Sequence, residues 1–259
     1  MLSDPADLGN LPEDIAESLF DPEFWRRRGE LTSVSGGRGS AWFIAPRANP
    51  WAAPGEQPSA AAGAQEWVLR HFRRGGFIAR LSRDLYVWAG EDKVRAFAEW
   101  RMLALLWQRG LPVPKPVAAR YRRAVLGYRC DLITERIVGA VPLSAMLAQD
   151  ALAEVQWRAV GAAVARLHVA GVYHADLNAH NILIGGKVGS GASGVGSVSV
   201  IDFDRGRLRE RGAWTKRNLR RLRRSLDKIS LGLPAGRYTA ADWDWLMAGY
   251  GAALGEQAP

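Results

Sequence analysis

Tyr173-His-Ala-Asp-Leu-Asn-Ala-His-Asn-Ile-Leu-Ile184, followed after a Gly/Ser-rich tract by Val200-Ile-Asp-Phe-Asp204, is the stretch that decides the fold. It sets Asp176 and Asn181 five residues apart on a loop entering a short apolar strand, Ile182–Ile184. A second strand, Val198–Phe203, carries Asp202 at its end. Phosphoryl transfer from a nucleotide asks little covalent chemistry of a protein. It asks for oxygen ligands to Mg²⁺ and a carboxylate that accepts the proton of the attacking hydroxyl. Asp176, Asn181 and Asp202 supply that set. Any one of them alone reads equally well as a turn cap or a strand end, so order and spacing carry the argument.

Working outward, the long helix Ala153–Ala170 precedes this loop, with Trp157, Val160, Val164 and Leu167 at helical spacing. A short helix, Leu143–Gln149, comes before it. The tract Gly185–Ser197 reads as a long hairpin loop joining the two site strands. Helices at Trp214–Leu231 and Ala240–Leu254 close the chain. Upstream the pattern is different. Leu31–Ile44 reads as strand, glycine-rich turn and strand, Glu66–Phe72 as a third strand, and Val117–Tyr121 and Tyr128–Glu135 as two more. A helix at Asp92–Gly110 interrupts them, its buried side marked by Phe97, Leu103–Leu105 and Trp107, with Gly110 and Pro112 ending it. Ala45–Ala64, rich in Ala, Pro and Gly, reads as a surface loop. The first thirty residues read as a loose lead-in with one helix, Asp21–Arg28, opened by Pro22 and stopped at Gly29. Strands dominate one half and helices the other. The class is α+β in two lobes: lead-in 1–30, an N-lobe of antiparallel sheet plus one helix at 31–135, and a mostly helical C-lobe at 136–259.

Composition narrows the setting. The chain is 48% apolar and 24% charged, which excludes a disordered or fibrous protein. A single cysteine, Cys130, excludes an internal disulfide and a Cys-x-x-Cys metal cluster, and points to a reducing cytosol. No apolar run approaches the ~18 residues that would span a bilayer, and acidic Met1–Asn10 is no signal peptide. Net charge is +9. Residues Arg205–Lys228 hold eleven basic and two acidic side chains, so this block accounts for the whole excess. A localised patch of that kind implies an anionic partner.

The catalytic stretch resembles the protein-kinase-like superfamily. By that resemblance Asp176 is the base, and Asn181 and Asp202 hold Mg²⁺. Gly36, Gly37, Arg38, Gly39 and Ser40 lie between two strands, where backbone N–H groups can cover ATP phosphates. Glu99 falls on the helix after the third strand, where such kinases keep a carboxylate paired with a strand Lys. Here the strand offers Arg70 instead, which grips phosphate and stays charged. The backbone of Glu135–Ile137 falls at the junction of the lobes, placed for adenine. Ala175 stands where regulated protein kinases carry an Arg, and no Ala-Pro-Glu follows Asp204, so control by loop phosphorylation is not expected.

Five segments narrow the resemblance to the lipopolysaccharide-core kinase group: Gly37–Ile44, Val68–Gly76, Tyr173–Ile184, Val200–Asp204 and Trp214–Leu226. Together they cover most of Gly37–Leu226. That resemblance implies ATP-dependent phosphorylation of the 4-hydroxyl of 3-deoxy-D-manno-oct-2-ulosonic acid (Kdo) on a lipid A precursor. It implies ATP and Mg²⁺ as cofactors and a peripheral place on the cytoplasmic face of the inner membrane. The anionic glycolipid and the membrane surface suit the basic segment 205–228, and Arg73 and Arg74 are candidates for the acceptor carboxylate. Within that segment Leu219, Leu222, Leu226 and Ile229 form an apolar stripe expected to face the core. A heptose or other sugar kinase remains open on the same scaffold. A nucleic-acid-binding module using the arginines is the reading from another class. No recognition module accompanies them, so neither nucleic acid nor a protein partner is implied.

Overall fold

Strand alternation, more than any single contact, determines how the first part of the chain is built. A computed structural model describes residues 1–3, 13–35, 40–46, 65–73, 84–125, 127–185, 187–188, 192–193 and 197–255. The chain divides into two compact units, Met1–Ala104 with Lys115–Arg136, and Leu105–Pro114 with Ile137–Pro259.

The first unit holds a six-stranded antiparallel sheet in the order β1-β5-β6-β4-β3-β2. Its strands are β1 (Leu2–Ser3), β2 (Leu31–Ser35), β3 (Ser40–Ile44), β4 (Trp67–His71), β5 (Pro116–Ala124) and β6 (Gly127–Glu135). In β4 the two-residue period puts Trp67 and Leu69 on one face and Arg70 on the other. Trp67 and Leu69 join Leu19, Phe20, Trp25, Ile44, Val117 and Ile133 in a buried apolar cluster.

Three members of that cluster come from residues 19–25, so residues 13–30 are no loose lead-in. They form α1 (Glu13–Ser18), which the sequence reading did not anticipate, and α2 (Pro22–Arg27). Asp21 caps α2 by accepting the N–H of Glu23 at 3.0 Å, and Gly29 follows with φ 67°. Arg120 on β5 ties these helices to the sheet. Its guanidinium donates to the carbonyls of Glu17 at 3.0 Å and Phe20 at 3.2 Å, and to Asp131 on β6 at 2.8 Å. The two carbonyls lie at the end of α1, where a helix runs short of internal donors, and the planar arginine fork reaches both. Asp131 also bonds His71 at 2.6 Å, and that bond raises the imidazole pKa.

A 3-10 turn, Glu91–Lys93, leads into α3 (Arg95–Gln108). Ala96, Phe97, Leu103 and Leu106 are its buried apolar residues, whereas Leu105 and Trp107 are only half-buried. Residues 105–114 belong to the second unit, held there by Arg166 to the Gly110 carbonyl at 2.6 Å and by the Val200 N–H to the Pro112 carbonyl at 2.8 Å. The Cys130 thiol is buried on β6 and pushed up to about 12 by desolvation, which leaves it without thiolate chemistry.

The second unit is mostly helical: α4 (Leu143–Gln149), α5 (Glu154–Val169), α6 (Trp214–Ser230) and α7 (Ala240–Gly255). Between them β7 (Val141–Pro142), β9 (Ile182–Ile184) and β12 (Val198–Val200) pair in the order β12-β9-β7, and β8 (Val172–Tyr173) pairs with β13 (Arg207–Leu208). The tract expected to be a plain hairpin loop contains a short ribbon, β10 (Lys187–Val188) against β11 (Ala192–Ser193).

Helices α5 and α7 approach through two glycines. A methyl group on Gly161 would lie 1.9 Å from the Leu246 carbonyl oxygen, and one on Gly249 would lie 2.1 Å from that of Arg158. Glycine is ordinarily a poor helix residue, and alanine in its place should stabilise an exposed helix by ~1 kcal/mol. At this crossing the sign reverses, because backbone cannot give way as a side chain can. Gly161→Ala should therefore cost about 1–3 kcal/mol in chemical denaturation. Gly251→Ala, on the same helix α7 with open space around it, should cost nothing or stabilise slightly.

Candidate active site

The loop from β8 to β9 carries Asp176 and Asn181, and its conformation follows from its own asparagines. The Asn178 side-chain oxygen accepts the N–H groups of His180 at 2.8 Å and Asn181 at 3.2 Å. The side-chain amides of Asn178 and Asn181 both donate to the Asp176 carbonyl at 3.0 Å. Turn chemistry of this kind fixes a short segment without secondary structure. It also commits the Asn181 amide nitrogen inward, leaving the Oδ1 oxygen as the acceptor for a ligand.

His174 links this loop to the end of β12. Its Nδ1 accepts the Asp176 N–H at 3.1 Å, so the proton sits on Nε2, which donates to the Ile201 carbonyl at 3.0 Å. A backbone N–H can only donate and a carbonyl can only accept, so this tautomer is the one that satisfies both. Burial lowers the His174 pKa and keeps the ring neutral, despite the opposing pull of the Ile201 carbonyl and of Asp202 and Asp176. The Ile201 N–H in turn donates to the Asn181 carbonyl at 3.0 Å. Both ends of the Ile201 peptide are thus tied to the loop, and Asp202 follows immediately. Asp202 has φ 65°, a left-handed conformation that ends the strand at Val200, short of the expected Phe203. Asp tolerates that conformation better than most side chains do.

Helix α6 supports the loop from one face. Asn218 brackets His174, donating to its carbonyl at 2.8 Å and accepting its N–H at 3.3 Å. Ser225 accepts the Ala179 N–H at 3.2 Å. Arg221, between them, donates to the Asp176 carboxylate at 2.6 Å. Positions 218, 221 and 225 are three and four residues apart and so share a face. None of these three was singled out from the sequence. The signal was there, as a polar stripe running beside the apolar one. The apolar stripe itself is buried at Leu219, Leu222 and Leu226, whereas Ile229 is half-buried. In the Arg221–Asp176 pair the side chains are 48% and 55% exposed. An exposed pair of this kind contributes roughly 0.2–1 kcal/mol, so it is easily exchanged for another partner.

In the first unit Arg70 and Glu99 are paired, and Glu99 is buried on α3. The Arg70 guanidinium also stacks 4.6 Å from the centre of the Phe72 ring. A buried carboxylate on one side and an aromatic face on the other fix its direction. The Glu135 N–H is committed to the Lys115 carbonyl at 2.8 Å and the Arg136 N–H to the Glu66 carbonyl at 2.7 Å. Of the expected adenine-facing backbone, the Ile137 N–H is the donor without such a bond among the described residues. Gly36, Gly37, Arg38 and Gly39 lie outside the described residues, as does Arg74. Ser40 begins β3, and Arg73 is exposed.

The residues present fit Mg²⁺. Asn181 and Asp202 offer hard oxygen donors on a pinned backbone, and Mg²⁺ takes one or two protein ligands, its remaining positions being filled by water and phosphate. Among the described residues no cluster of three or more His, Cys, Asp or Glu side chains could hold a metal by itself.

An antiparallel sheet with its arginine–glutamate pair, and a helical unit with this Asp/Asn/Asp loop, define a protein-kinase-like phosphotransferase. A solved chain described as WaaP in complex with acyl carrier protein has the same fold, with a TM-score of 0.51 and 17% identity, covering 94% of this chain and 88% of that one. The chain belongs to the lipopolysaccharide kinase (Kdo/WaaP) family, whose model matches residues 22–250. It is similar to the 3-deoxy-D-manno-octulosonic acid kinase of Actinobacillus succinogenes, 36% identical over 240 residues and 92% of each chain. It is 44% identical over 212 residues to that of Stenotrophomonas maltophilia and 45% identical over 213 residues to that of Xanthomonas axonopodis. Both of those matches cover 82% of this chain and 75% of the relative.

A second buried histidine gives the site scaffold a pH signature. His168 on α5 bonds the Tyr250 hydroxyl at 2.9 Å, and burial brings its pKa down from 6.5 to about 4. As pH falls, the unfolded chain takes this proton first. The stabilisation is therefore complete above 6.5 and is lost between there and about 4. In denaturant titrations His168→Gln should flatten the slope of stability against pH across that window.

Proposed function

We propose that this protein transfers the γ-phosphoryl group of ATP to the 4-hydroxyl of Kdo on a lipid A precursor. The acceptor oxygen forms a bond to the γ-phosphorus, the bond from that phosphorus to the β–γ bridging oxygen breaks, and ADP leaves. Asp176 accepts the hydroxyl proton. The observation that carries this reading is the joining of Asp176, Asn181 and Asp202 through one hydrogen-bonded backbone around His174, in a chain whose relatives are named for Kdo.

Each residue has a chemical task. Asn181 and Asp202 would hold Mg²⁺, which when bound neutralises charge on the transferring phosphates. Arg70, aimed by Glu99, binds ATP phosphates in place of the usual lysine. The Ile137 N–H is the donor for adenine, and Gly36–Ser40 covers the phosphates. Asp176 is more than half exposed, which suits an acceptor carried on a large glycolipid.

No helix among the described residues is long and apolar enough to cross a membrane. The positive charge of residues 205–228 supports attachment to an anionic leaflet, at ~1 kcal/mol for each basic residue near the surface. The acceptor lies on the cytoplasmic face of the inner membrane in this reading.

Mass spectrometry of Kdo-lipid incubated with ATP and the purified protein should show one added phosphate at the 4-position, and none on a heptosylated acceptor. Asp176→Ala should lower kcat by ~10²–10⁴ while ATP binding and thermal stability stay near wild type. Near-normal turnover would remove Asp176 from the mechanism. Asp202→Asn keeps a side chain that tolerates the left-handed backbone but lowers its charge. It should raise the Mg²⁺ concentration needed for half-maximal activity at least about tenfold, with little change in folding.

A further inference from the structure

One face of α6 is lined by arginines, of which the catalytic loop engages only Arg221 among the described residues. Arg217, Arg220, Arg221 and Arg224 recur three and four residues apart and border an open cavity of about 480 Å³, with Tyr173 and Asn218 on its loop side. Asp227 and Arg223 border it too, and Arg223 stacks 5.4 Å from the centre of the Trp243 ring. Arg217, Arg220 and Arg224 have no ion-pair partner among the described residues. Like charges at this spacing repel, and an anion bound among them relieves that repulsion. Arg221 is the member whose charge is met from within the chain, by the Asp176 carboxylate.

We propose that this cavity is the acceptor's carboxylate subsite, with Arg221, flanked by Arg217 and Arg224, passing from Asp176 to the carboxylate of the sugar when the acceptor binds. The inference rests on the proposed Kdo acceptor and deepens it. The geometry narrows the anion. Arg221 already touches the group that must reach the acceptor hydroxyl, so its alternative partner lies on the same sugar ring. In Kdo the carboxylate is attached at C2 and the hydroxyl at C4, with one ring carbon between. A guanidinium grips a carboxylate through two parallel N–H donors, and its half-exposed bond to Asp176 is weak enough to yield. The exchange frees an Asp176 oxygen for the hydroxyl proton only when the correct sugar is present. Arg221 is in this sense both an acceptor-binding residue and a positioning residue for the base.

The test measures kinetics of the full chain with Kdo-lipid, with the same lipid after conversion of its Kdo carboxylate to the amide, and with a lipid stripped of its phosphates. Arg221→Gln should raise KM for Kdo-lipid at least about tenfold and leave KM for ATP within about twofold. Wild type should show a similar penalty on the amide, and R221Q should barely distinguish acid from amide. Arg221→Lys, which keeps the charge without the fork, should recover part of the discrimination. Arg224→Gln, which removes a flanking charge without touching the loop, should raise KM for the acceptor alone and guards against misfolding of R221Q. The phosphate-free lipid should keep the full dependence on Arg221. If R221Q discriminates acid from amide as well as wild type does, the subsite is overturned. If instead the dependence vanishes with the lipid phosphates, the carboxylate assignment is overturned. A wild-type enzyme active on another sugar but inert on Kdo-lipid would remove the proposed function, and the inference with it.

Discussion

His174 has two ring nitrogens and two backbone obligations, and it can meet both only while neutral. One nitrogen must receive the Asp176 N–H and the other must give its proton to the Ile201 carbonyl. A charged ring would carry a second N–H facing a backbone N–H, inside a pocket with little solvent to compensate. Burial enforces neutrality. In consequence the loop bearing Asp176 and the strand end that precedes Asp202 are held by one imidazole. The left-handed turn at Asp202 and the asparagine turn at Asn178 complete the segment.

The basic helix α6 gains a different meaning from its contacts. Its net charge could be spent entirely on solvent or on an anionic surface. Instead its faces divide the work. Leu219, Leu222 and Leu226 are buried; Asn218 and Ser225 hold the loop; Arg221 meets Asp176; and the remaining arginines border an open cavity. A helix of seventeen residues can do this because its 3.6-residue period gives several separate stripes.

Much of this was legible in the chain. Asp21, Pro22 and Gly29 announce a short helix because capping is local chemistry, needing no distant partner. Trp157, Val160, Val164 and Leu167 announce α5 because burial on one face imposes a period. That Asp176, Asn181 and Asp202 belong together was legible in their order and spacing, and the structure links them through hydrogen bonds around His174. The docking of the first thirty residues was not legible. It depends on Arg120 finding the Glu17 and Phe20 carbonyls about a hundred residues away. Arg221 was equally hidden, since one arginine among eleven basic side chains has no local mark that separates it from its neighbours.

By itself the sequence determined most of the longer helices and strands, the kinase-like order of Asp176, Asn181 and Asp202, and that a cationic block follows them. Periodicity, capping and reaction chemistry are properties of nearby residues, so they survive being read in one dimension. Tertiary structure alone decided which arginine meets Asp176, why Gly161 and Gly249 must lack a side chain, and where the lead-in helices are buried. Those outcomes depend on distances between elements far apart in the chain, which packing fixes only when the whole core closes.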